Sequence, residues 1–116
     1  MIVNKPSIFI YTCRADQDFL KEICAGIEEE GVLYEIHERD GDVDALAYAA
    51  AAESMLGSGI GISGERIAMQ MKRLPKGQNV FELHGPGLWQ CRNLGANSAR
   101  AIKKMPFKIM FGDEEL

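Results

Sequence analysis

The chain has 116 residues, 47% of them apolar and 26% charged, which suits a single folded domain (1–116) and excludes a disordered polymer. Its net charge of −4, without a basic stripe or stacked aromatics, argues against nucleic-acid binding. No apolar run approaches ~18 residues, so no membrane-spanning helix is expected, and Met1–Pro6 lacks the apolar stretch of a secretory signal.

The first predicted element is a buried strand, Ser7–Thr12, rich in β-branched and aromatic residues. Asp16 can cap the helix that follows. In it Phe19, Leu20, Ile23, Cys24 and Ile27 recur on one face, and Gly31 stops it. Val32–Glu38 reads as a second strand. Asp42 can cap a second helix running through Ala45–Glu53, with the alanine run Ala49–Ala52 inside it.

Gly59–Ile62 reads as a third strand, with glycines where a helix could approach closely. Ser63-Gly64 is a tight turn, so the alternating stretch Arg66–Lys72 should form a fourth strand antiparallel to the third. Asn79–His84 is the fifth strand. A long helix from Leu88 to about Lys104 follows, with a predicted inner stripe of Leu88, Cys91, Gly95, Ala99 and Ile102, and Pro106 ends it. The acidic stretch Gly112–Leu116 reads as a frayed tail. Two helical crossovers require a mostly parallel sheet with helices on its faces.

Most chemical motifs have plain explanations. Gly59-Ile-Gly61-Ile-Ser-Gly64 matches a dinucleotide fingerprint in form, but it lies inside one strand and leads into another. No helix N-terminus follows to hold a phosphate. His37 and His84 end the second and fifth strands, which in a flavodoxin-like order of 2-1-3-4-5 would be opposite edges of the sheet, too far apart for an acid–base pair. Cys13, Cys24 and Cys91 fit neither a disulfide framework nor a zinc pattern. Cys24 and Cys91 fall on inner helix stripes; Cys13 sits just before the first helix, whose dipole could lower a thiol pKa, but no histidine neighbours it in sequence.

Glu28-Glu29-Glu30 stands out, because three acids in the last turn of a helix face its negative dipole end. A solvated face is one explanation. At 100° per residue Glu29 points nearly opposite the apolar stripe and Glu30 lies near its edge, so an outward carboxylate suited to a partner cation or metal is the other. The alanine run is similarly open between simple helix propensity and a smooth surface for a partner.

Gly26-Ile-Glu-Glu-Glu-Gly31, Ile60-Gly-Ile62, Lys72-Arg-Leu-Pro75 and Arg92-Asn-Leu-Gly-Ala-Asn-Ser-Ala-Arg100, leading to Met105-Pro-Phe107, occur in one order along the chain. This ordered set resembles the small subunits of diol/glycerol dehydratase-reactivating factors, from the first strand to Phe107. Ser98 stands where such proteins often carry alanine, and the second helix is unusually rich in alanine. The resemblance implies a three-layer α/β/α domain with a five-stranded mixed sheet, order 2-1-3-4-5, strand four antiparallel. It implies a non-catalytic subunit that docks on a large ATPase subunit, which would bind Mg2+ and ATP or ADP. The assembled factor would release damaged cobalamin from an adenosylcobalamin-dependent dehydratase by exchange with the dehydratase medium subunit. Glu29 would complete a divalent-metal site on the large subunit, with Glu28 and Glu30 as the other candidates. Glu28, Glu29, Glu30, Arg92 and Arg100 would lie at the interface. A cytoplasmic location is implied, with microcompartment association left open. Two other readings stand beside it: a stand-alone flavodoxin-like ligand-binding domain or enzyme, and a cobalamin-contacting piece like the dehydratase medium subunit. The short N-terminus disfavours the latter. The loops at Cys13–Ala15 and Arg39–Gly41, which lack a phosphate-cradling glycine run, disfavour the former.

Overall fold

The computed structural model describes residues 5–112, so residues 113–116 of the acidic tail lie outside the described residues. Five strands form one sheet: β1 (Ile8–Cys13), β2 (Tyr34–Glu38), β3 (Ser58–Ser63), β4 (Arg66–Met71) and β5 (Phe81–His84). Their order is β2-β1-β3-β4-β5. β1 pairs parallel with β2 and β3, while β4 pairs antiparallel with β3 and β5. The reversal falls at Gly64-Glu65, one residue later than expected, because Ser63 still pairs with Arg66, and Gly64 takes φ +59°, a left-handed conformation that favours glycine. The expected α/β class, strand order and antiparallel fourth strand are all present.

Helices α1 (Gln17–Glu29) and α3 (Leu88–Lys103) cover one face, and α2 (Val43–Glu53) covers the other. Asp16 caps α1 by accepting from the amides of Asp18 and Phe19, and Asp42 caps α2 by accepting from Ala45. The main core lies under α1 and α3. It joins Ile8, Ile10, Ile60 and Ile62 of the sheet to Ile23, Ile27 and Leu94 of the helices.

The alanine-rich α2 belongs to the fold. A Cβ built on Gly59 would lie 2.2 Å from the Ala51 nitrogen, and one on Gly61 would lie 2.5 Å from that of Ala47. The helix backbone therefore rests directly on the β3 backbone, and only glycine below and small residues above allow this. Ala47, Ala50 and Ala51 are buried, whereas Ala52 faces solvent.

The inner stripe of α3 differs from the expected one. Leu88 is exposed, and Leu94, Ala96, Asn97 and Ser98 join Cys91, Gly95 and Ala99 in the interior. The buried face is widened because residues 106–110 fold back along α3 as an extended strap. Gln90 Nε2 donates to the Met110 carbonyl (2.8 Å), Asn93 Nδ2 to that of Ile109 (2.8 Å) and Arg100 Nη1 to that of Pro106 (3.1 Å). Asn97 Nδ2 donates to the Lys108 carbonyl (3.0 Å) and its Oδ1 accepts from the Lys108 amide (2.7 Å). These four residues recur at three- and four-residue intervals, so they share one face of the helix. Ser98, buried beside them, donates its hydroxyl to the Gly95 carbonyl and accepts a bond from Ser58 at its own carbonyl.

Candidate functional site: the face shared by α1 and α3

Gly26 and Gly95 let α1 and α3 approach backbone to backbone, which brings the acidic end of α1 against the basic side of α3. Each of the three consecutive glutamates then has a different partner. Glu28 accepts from the Tyr34 hydroxyl of β2 (2.8 Å). Glu29 is gripped at both oxygens by Arg92, Nε to Oε1 at 3.2 Å and Nη2 to Oε2 at 2.7 Å, and the remaining Arg92 nitrogen reaches Glu22 (2.9 Å). Glu30 receives Arg100 Nε (3.0 Å) and Lys103 Nζ (2.9 Å). Lys103 also donates to the Glu30 carbonyl (2.9 Å), satisfying a backbone acceptor beside the helix end.

This resolves the unfavourable position of three acids at a helix C-terminus. The charges of Glu29 and Glu30 are countered by cationic side chains delivered from α3, for Glu29 in the geometry of a guanidinium fork, while Glu28 is held by the neutral Tyr34 hydroxyl. Arg92 holds the Glu29 carboxyl below the ordinary carboxylate range, and Lys103, then Arg100, does the same for Glu30. The reciprocal effect raises the pKa of Arg92 further above neutrality. The pairs differ in access: the Glu30 side chain is 10% exposed, and that of Glu29 is 48% exposed. Glu29 projects outward as its helical phase predicts, yet within this chain it is ion-paired. Arg92 and Arg100 lie on the same side of α3, and both tie it to α1.

The structure also brings in residues that sequence reasoning passed over. Glu22 shares Arg92 with Glu29, Tyr34 anchors Glu28, and Gly26 makes the close approach possible. The signal available for Gly26 was a small residue two positions before the acid run. The pairing partners, 63 to 73 residues away, left no local signal.

Groups elsewhere are placed as expected. His37 and His84 sit on opposite edge strands. His37 packs edge-on against Phe9 and Tyr11, with ring centroids 5.6 and 5.9 Å away. Burial, then a hydrogen bond to Glu53, pushes the Tyr11 phenol up to about 12. Cys24 and Cys91 are buried, and Cys13 is half-buried. The glycine motif lies in β3 against α2. The C-terminal ends of β1 and β2 border a shallow depression of mixed charge, lined by Arg14 and Arg39 but also by Glu38 and Asp40. Among the described residues, no three His, Cys, Asp or Glu side chains converge to hold a metal ion. No helix of the described residues is long and apolar enough to cross a membrane.

The pattern of the dehydratase medium subunit family matches residues 5–108. The chain is 35% identical over 108 residues to the propanediol dehydratase-reactivating factor small subunit of Citrobacter freundii, covering 91% of this chain and 93% of that protein. It is 33% identical over 107 residues to the diol dehydratase-reactivating factor small subunit of Klebsiella michiganensis, covering 90% and 86%. Among solved structures, a glycerol dehydratase reactivase chain superposes with a TM-score of 0.87 at 31% identity, covering 92% of this chain and all of that one. A chain from a diol dehydratase-reactivating factor complexed with ADP and Mg2+ gives 0.86 at 31% identity, covering 91% of this chain and all of that one.

Proposed function

The chain belongs to the dehydratase medium subunit family, among the small subunits of dehydratase-reactivating factors, and from that premise we propose that it acts without chemistry of its own, by docking on a larger ATPase subunit. The assembled factor would use ATP to release damaged cobalamin from an adenosylcobalamin-dependent diol or glycerol dehydratase. The carrying observation is that one family pattern, described for a dehydratase medium subunit, fits a chain whose relatives are reactivating-factor small subunits. Two proteins of one fold and one pattern can compete for one docking surface. Exchange between them would couple assembly of the factor to opening of the dehydratase.

Glu29 is the residue best placed to meet nucleotide-site chemistry on the partner. Its carboxylate is the more accessible of the two arginine-bound glutamates, while Glu28 and Glu30 turn to Tyr34, Arg100 and Lys103. A single carboxylate fits a hard cation whose other ligands come from elsewhere. Bound Mg2+ would neutralise phosphate charge at the large subunit. On docking, Glu29 would exchange Arg92 for the cation, and Glu22 would keep Arg92 paired. Arg92 and Arg100 would hold this face in shape for docking.

The test starts from dehydratase inactivated with damaged cobalamin in place. The chain, the large subunit and Mg-ATP are added, and cobalamin passing an ultrafiltration membrane is measured by absorbance. Release should require both subunits and ATP. Release that proceeds equally without this chain overturns the proposal. For Glu29, binding of wild type and Glu29→Gln to the large subunit is titrated with and without Mg2+. Equal magnesium dependence removes Glu29 from the site.

A further inference from the structure

We draw no further inference here: the strongest candidate, the exposed apolar ridge of Phe107, Ile109 and Phe111 on the strap that follows α3, carries none, because nothing in the structure shows what covers it.

Discussion

Gly26 of α1 and Gly95 of α3 meet where the two helices touch, and neither has room for a side chain. A Cβ on Gly26 would lie 2.1 Å from the Arg92 carbonyl oxygen, and one on Gly95 would lie 2.1 Å from that of Ile23. Both obstacles are backbone atoms, so a methyl group can enter only if the helices separate. Gly26→Ala and Gly95→Ala should each destabilise the fold by about 3 kcal/mol, the upper end of ordinary overpacking. Urea denaturation measures this. The same separation should loosen the Arg92–Glu29 pair and weaken partner binding beyond what stability alone accounts for.

The glutamates at the end of α1 make stability dependent on acid. Their carboxyls have folded-state pKa values below the ordinary range, set by Arg92 for Glu29 and chiefly by Lys103 for Glu30. A carboxylate depressed on folding stabilises the protein above its unfolded pKa, and that stabilisation is lost as pH falls through the folded pKa. Denaturation midpoints should therefore drop below about pH 4.3. Glu30→Gln should lower stability at pH 7 and flatten its fall on acidification. An unchanged acid slope in Glu30→Gln would show that the pair does not contribute.

Asn97 offers a separate handle on the strap. Asn97→Ala removes two hydrogen bonds and leaves the Lys108 amide and carbonyl without their buried partner, at a cost of about 2–3 kcal/mol. The core under α3 persists, so the strap should release before the domain unfolds. Amide hydrogen exchange at Lys108 should accelerate at least tenfold, and trypsin should cut after Lys104 or Lys108 in the native protein. Equal protection in variant and wild type would mean that the other three α3 side chains suffice.

The cysteines should react in a fixed order. Burial raises the Cys24 thiol pKa and pushes that of Cys91 up to about 12. Cys13 is half-buried at the end of β1. At pH 8, iodoacetamide should modify Cys13 in the native protein and reach the other two only after denaturant is added. Mass spectrometry of timed samples gives the order, and early labelling of Cys91 would contradict the packing of α3.

The succession of elements and the antiparallel hairpin were legible because local signals determine them, namely apolar runs, the glycine turn after β3 and capping aspartates, whereas the strand order came with the family resemblance. The strap was not legible. Pro106 ends the helix as expected, but the alternation of Met105, Phe107, Ile109 and Phe111 usually signals a strand, and here the extended segment pairs with amide side chains of a helix. Asn93 and Asn97, four apart, were the only hint of its partner. The glutamate run was recognised as unusual, yet its resolution required Arg92 and Arg100, which no local pattern links to it. Leu88 was assigned to the core by its phase, although at the first turn of α3 it lies beyond the surface that α1 and the sheet supply.

The alanine run of α2 left two explanations open, and its packing separates them residue by residue. Ala50 and Ala51 are 0% and 1% exposed and sit over Gly59, whereas Ala52 faces solvent one position later. Ala51→Leu has to fit three more carbon atoms between α2 and β3, where the backbones already touch. It should cost about 3 kcal/mol through overpacking. Ala52→Leu keeps a strong helix former in open space and should change stability by no more than about 0.5 kcal/mol. Thermal or urea denaturation of the two variants gives the comparison directly. Equal destabilisation would mean that α2 does not seat on β3 as described. If Ala52→Leu leaves stability intact but weakens binding to the large subunit, the exposed side of the run is also a contact surface, and both explanations hold on different sides of one helix.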